Sequence, residues 1–122
     1  MAFPYFMRCV FCDIIQGRGV ATRVYESDSS LGIVPLNPVT PGHVIFLSRS
    51  HVDDAIESPY LTSLVMMDAA RYIQDQKNLR EIHSANIITS IGSAATQTVY
   101  HLHIHVVPRL LNDGLKLPWS NQ

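Results

Sequence analysis

The segment His101-Leu102-His103-Ile104-His105-Val106-Val107-Pro108 limits what this chain can fold into more than any other. In an extended strand successive side chains point to opposite faces, so strict alternation sorts the segment into two sets. Leu102, Ile104 and Val106 turn to one face and a hydrophobic core, while His101, His103 and His105 form a row on the other. Imidazoles are costly to bury without partners, so three in a row need a reason. Three readings fit the row. It is a half-exposed polar strand face, a catalytic zinc site of the His-x-His type, or a nucleophilic histidine flanked by two others that orient it and bind anionic oxygens. The last uses the neutrality of imidazole near pH 7.

The rest of the chain sets the frame for that strand. A length of 122 residues and 47% hydrophobic content fit one globular domain. The whole of 1–122 is expected to be that domain, with its core over about residues 9–109 and a tail at 110–122. A net charge of -1 gives no basic excess for a nucleic-acid polymer, though a small phosphorylated ligand needs only a local pocket. No apolar run approaches the roughly 20 residues of a membrane span. Met1 to Arg8 lacks the basic start and small-residue cleavage site of a signal peptide. The expectation is a soluble, cytoplasmic protein with no membrane partner.

Local signals predict the elements. Residues 11–16 suit a short helix ended by Gly17 and Gly19. Arg23–Glu26 and Ser30–Val34 read as strands around a turn at Ser27-Asp28-Ser29. Pro35, Pro38, Pro41 and Gly42 make a rigid loop before a buried strand at His43–Ser48. Ser58-Pro59 starts a long amphipathic helix running to Leu79, packed on one face. Asn86–Ile91 and Val99–Val107 are further strands, with a small-residue loop at Gly92–Thr96 between them. The sum is an α+β domain, an antiparallel sheet with its helices on one side.

The histidine row matches the His-φ-His-φ-His-φ-φ signature, φ being apolar, of the histidine-triad (HIT) family. Gln97-Thr98-Val99-Tyr100 resembles the family's Gln-[Ser/Thr]-Val-x, and Asn37-Pro38 with Pro41-Gly42-His43 its Asn-Pro-x-x-Pro-Gly-His loop. Cys9-Val10-Phe11-Cys12-Asp13-Ile14-Ile15 is similar to the opening of the Hint-type branch, and Asp113 to Trp119 to the tail of bacterial members. The resemblance implies a five-stranded antiparallel sheet with one long and one short helix, paired into a homodimer. It implies a purine nucleotide or nucleotide conjugate as ligand. The activity would be cleavage at the α-phosphate of a nucleoside phosphoramidate or dinucleoside polyphosphate, through a nucleotidyl-histidine and with no organic cofactor. Carried over by position, His103 is the nucleophile, His105 stabilises charge on phosphate oxygens, and Thr98 stands near the leaving group. Asn37, Ser90, Gln97 and Trp119 join His103 and His105 in nucleotide binding. The chain departs from the family at Ser90, where asparagine is usual, at Ala95-Thr96, where a double glycine is usual, and at Pro35, where Hint-type members carry an acid for the ribose hydroxyls.

Cys9-x-x-Cys12 has the thiolate spacing of a zinc site. His51 and His101 complete a four-ligand set that equivalent residues form in the family's zinc-containing members, so a structural zinc is expected. The alternative is a pair of free thiols packed as small hydrophobes. His43 is expected to cap a turn and His83 to be exposed. Besides the enzyme, two readings stay open: a weakly active nucleotide-binding or scaffold protein, and a zinc metalloenzyme.

Overall fold

The computed structural model describes residues 8–120; Met1 to Met7 and the last two residues of the expected tail lie outside them. Helix α1 (Val10–Ile15) is followed by strands β1 (Arg23–Glu26), β2 (Ser30–Ile33) and β3 (Val44–Ser48). Helix α2 (Pro59–Asn78), β4 (Ala85–Ile88) and β5 (His103–Pro108) complete the order, with one 3-10 turn at Ser93–Ala95. The strands form one sheet in the order β1-β2-β3-β5-β4, antiparallel at every junction. This is the α+β, five-stranded fold the sequence leads one to expect. No helix among the described residues is long and apolar enough to cross a membrane.

Helix α2 starts as its sequence dictates. The Ser58 hydroxyl accepts the Leu61 N–H, and Pro59 occupies the first turn. Its inner stripe of Leu61, Val65, Ala69, Tyr72 and Ile73 packs on Val44, Phe46, Ile104 and Val106. On the opposite sheet face Phe11, Ile14 and Ile15 of α1 pack on Leu31, Ile33, Ile45 and Leu47. The two helices therefore lie on opposite faces, which corrects the expectation of helices on one side. The cause is β3, Val44-Ile45-Phe46-Leu47-Ser48, which is buried at every position and needs cover on both faces.

Two strand limits also move by more than one residue. The last strand begins at His103, not Val99, because the Leu102 N–H turns to the Val52 carbonyl. Strand β4 stops at Ile88, not Ile91, where the Thr89 hydroxyl takes the His103 carbonyl at 2.7 Å. Residues 109–120 run without helix or strand, as expected of the tail.

Candidate functional site

Pairing of Ile45 with His105 and of Leu47 with His103 places both imidazoles on the α1 face. Phe11 stands edge-on to His101 and His103, with ring centroids 5.8 and 5.0 Å away. The strand's other face is fully buried at Leu102, Ile104 and Val106, so the alternation read from the sequence holds.

The hydrogen bonds fix the tautomer of each ring, because a carbonyl oxygen only accepts and a backbone N–H only donates. His103 Nδ1–H donates to the His101 carbonyl at 2.7 Å, which leaves a lone pair on Nε2. The Val39 N–H donates to His43 Nδ1 at 3.1 Å, so His43 carries its hydrogen on Nε2. That Nε2–H donates to His105 Nδ1 at 2.9 Å, which leaves the hydrogen of His105 on Nε2. The row thus presents an acceptor on His103 and a donor on His105. Gly42 aims His43 into this relay. Its φ is +85, and a Cβ there would stand 3.1 Å from Pro108 Cγ, so any other residue would be strained. Burial lowers the pKa of His103 and of His43. Burial, helped by the neighbouring His103 and His43, lowers His105 to about 4. All three rings are neutral at pH 7.

A cavity of about 690 Å³ opens beside these rings. Phe11, Ile14, Ala21, Ile33, Val34 and Leu36 make its apolar part, and Ser90, Thr96, Thr98, His103 and His105 its polar rim. Such a mix, mostly apolar with a few convergent polar groups, suits a small organic ligand with one polar end. Pro35 lines it and brings no carboxylate. Gln97 also lines it, but its amide is engaged: Oε1 accepts from the Gly92 N–H, and Nε2 donates to the carbonyls of Asp53 and Val99. Gln97 therefore ties the 92–99 loop to the domain. Thr96 closes that loop in the left-handed region, at φ 73, unusual for a β-branched residue. Asn37 and Trp119 are exposed and absent from the cavity wall.

His101 faces elsewhere. Fully buried, it donates from Nε2 to the Ser48 carbonyl at 2.6 Å and turns its Nδ1 lone pair to Cys9 Sγ (3.3 Å), Cys12 Sγ (3.5 Å) and His51 Nδ1 (3.1 Å). Cys12 Sγ lies 3.3 Å from His51 Nδ1, whose Nε2 faces Asp53. With Nε2–H on the carboxylate, His51 also turns a lone pair inward, and two lone pairs at 3.1 Å repel unless a cation lies between them. Tetrahedral zinc with nitrogen and sulfur ligands has ligand-to-ligand edges of about 3.3–3.8 Å, close to these distances. The four residues expected to bind metal thus form one compact cluster that fits a divalent cation. Burial and the adjacent Cys9 push the Cys12 thiol up to about 12, a penalty a bound cation would reverse. The histidine row itself forms no metal-ligand group among the described residues.

Known proteins share this sequence pattern and fold. The HIT domain model matches residues 17–111, most of the chain. The chain belongs to the histidine-triad family. A HIT-like protein of Mycobacterium tuberculosis is 35% identical over 112 residues, covering 91% of this chain and 78% of that protein. An adenylylsulfatase of Arabidopsis thaliana is 31% identical over 93% of this chain and 57% of its own length. Among solved structures, a zinc-bound histidine-triad protein of Mycobacterium smegmatis superposes with a TM-score of 0.81 at 37% identity, covering 90% of this chain and 81% of that one. A HIT family hydrolase of Clostridium thermocellum gives a TM-score of 0.75 at 30% identity, covering 89% and 96%.

Sequence reasoning underrated His43. It does cap a turn, through Val39, but it also sets the tautomer of His105. The available signal was register: β3 begins one residue later and runs antiparallel to β5, with Val44 opposite Val106, so His43 falls beside the His105 end. His83, as expected, is exposed.

Proposed function

We propose that this protein is a histidine-triad hydrolase that cleaves at the α-phosphate of a nucleotide conjugate through a nucleotidyl-His103 intermediate. One observation carries this reading: a neutral His103 with its Nδ1–H tied to a carbonyl, and so a free Nε2 lone pair, at the rim of an apolar cavity. The apolar part suits a purine base. In the first step the Nε2–P bond forms and the bond from phosphorus to the leaving group breaks, the electron pair going with the leaving group. The His101 carbonyl accepting from Nδ1–H steadies the positive charge that develops on the ring. The His105 Nε2–H is a donor for a phosphate oxygen, and Thr98 lines the same wall. In the second step water forms the O–P bond, the N–P bond breaks, and the water's proton passes to solvent. Dividing the reaction this way replaces one hard displacement by two easier ones.

Zinc is the metal this reading places on Cys9, Cys12, His51 and His101, in a structural role. Four ligands leave it no open coordination position, and it would anchor the chain just before β5 and α1 together. The His101 imidazole is then a metal ligand and takes no part in the chemistry, which its backbone carbonyl serves through His103. The Ser90 hydroxyl and the Gln97-anchored loop shape the ligand's phosphate end; Asn37 and Trp119 lie outside the cavity wall.

The test is turnover of a fluorogenic adenosine phosphoramidate and of diadenosine triphosphate by wild type beside His103→Ala. AMP release by wild type alone supports the reading. Turnover that survives His103→Ala would sink it. Tight AMP binding with no turnover would favour a binding protein.

A further inference from the structure

The sheet is the floor of the cavity. His105 pairs with Ile45, and Ile45 with Ile33, so these three residues make one row across β5, β3 and β2. Neighbouring strands lie about 4.8 Å apart, so the row spans about 10 Å. A nucleoside 5′-phosphate with its phosphate at His103 and His105 and its base over Ile33 sets its sugar between them, beside the segment that leaves β2. That segment is Val34-Pro35-Leu36, and all three residues line the cavity.

The segment has little to offer the hydroxyls of a ribose. Val34 spends its N–H on the Thr22 carbonyl at 3.0 Å. Pro35 has no N–H, and its ring accepts no hydrogen bond. Leu36 is 96% exposed and leaves the mouth of the cavity apolar and open to water. Asn37, the next side chain with an amide, lies outside the wall. Among the described residues no aspartate, glutamate, lysine or arginine lines the cavity. Met1 to Met7 and the last two residues of the sequence include no acidic side chain. Ser90, Thr96, Thr98 and the two imidazoles serve the phosphate end; away from it the wall carries the Thr22 hydroxyl.

We infer that this site does not select for ribose, that 2′-deoxyribonucleotide conjugates belong to its substrate class beside ribonucleotide ones, and that Pro35 is the residue that sets this breadth. This rests on the hydrolase reading and specifies the sugar of its substrate. A site that grips the two neighbouring hydroxyls of a ribose needs a group with two acceptor oxygens, and a carboxylate serves best because its hydrogen bonds are charge-assisted. Such a site also rejects a sugar without the hydroxyl, since its own polar group is then left unpaired. An apolar wall has no group to leave unpaired. It discriminates weakly in either direction, and the open mouth lets a ribose hydroxyl keep its water. Binding energy then comes from the phosphate end and from apolar contact with the base, both the same for the two sugars.

The test compares kcat/KM for an adenosine 5′-phosphoramidate and its 2′-deoxyadenosine counterpart carrying the same fluorogenic amine, so that only the sugar differs. Wild type should give a deoxy-to-ribo ratio of about one or above. Pro35→Asp should lower that ratio about tenfold, as expected for one new charge-assisted hydrogen bond to the sugar. Pro35→Ala, which removes the ring without adding an acceptor, should leave the ratio where it was. Because each variant is its own reference, a loss of folded protein cancels from the ratio. A wild-type preference for ribose of tenfold or more would overturn the inference while leaving the hydrolase reading intact, and so would a ratio that Pro35→Asp does not move. Absence of turnover on both substrates would overturn the hydrolase reading. The sugar comparison then passes to the dissociation constants of AMP and 2′-deoxy-AMP measured by calorimetry, where equal values support the inference and tenfold tighter AMP, or no binding of either, overturns it.

Discussion

The two ends of the histidine row carry the same side chain, one just before β5 and one within it, yet they do opposite things. At one end His101 is fully buried and its Nδ1 faces two thiols and a second imidazole. At the other His105 is partly exposed and its Nε2–H is free for a ligand. What separates them is the partner supplied by β3 and its flanks. The carbonyl of Ser48, at the end of β3, accepts the Nε2–H of His101, while His43, just before β3, donates its Nε2–H to Nδ1 of His105. An antiparallel neighbour thus turns one ring toward a cluster of metal-ligand groups and the next but one toward the cavity. The alternation sets the face, and the hydrogen-bond partner of each ring sets its chemistry.

The largest effect should come from the ring between these ends. His103→Ala should lower kcat by at least about a thousandfold while the protein stays folded, checked by steady-state AMP release and circular dichroism. At the metal end the order should reverse. Cys12→Ala, or a strong chelator, should lower Tm on the order of 10 °C, because binding energy at such a site is folding energy. Activity of the protein that remains folded should change little. A chelator that stops turnover without moving Tm would mean that the metal is catalytic.

At the ligand end, His43→Ala should leave Tm nearly unchanged and cost about tenfold in kcat/KM, the worth of one hydrogen bond that fixes the His105 tautomer. The pH profile sharpens the same contrast. The reactive forms are neutral, and burial holds His105 down to about 4 from an ordinary 6.5. Burial lowers His103 as well, so the acid limb of kcat/KM should lie below 6.5, with His105 protonated only as the pH nears 4. An acid limb centred near 6.5 would show an unshifted histidine in the reaction. The smallest effect concerns the loop beside His105. Thr96→Gly should raise stability by about 0.5–1 kcal/mol in denaturant unfolding, since glycine meets φ 73 without strain.

The sequence made the row legible because a two-residue period needs no tertiary information. Leu102, Ile104 and Val106 are buried as that period requires. The division of labour within the row was not legible from spacing, since it depends on carbonyls distant in the chain, such as that of Ser48. Cys9 and Cys12 announce a metal by spacing, whereas His51 and His101 join them only through the fold. The unbroken apolar run of β3 held the clue that both sheet faces are covered, and hence that α1 and α2 lie on opposite sides. Thr96 gave no local sign of a left-handed backbone, because a β-branched residue there contradicts propensity.

The central claim is that one imidazole of the row becomes covalently nucleotidylated. The most direct measurement is a rapid-quench first turnover with a hydrolysable adenosine conjugate, followed by peptide mapping of the protein. The account predicts release of the leaving group ahead of AMP and a nucleotide adduct on His103. Simultaneous release of both products with no adduct, or an adduct on His105 or His43, would contradict it.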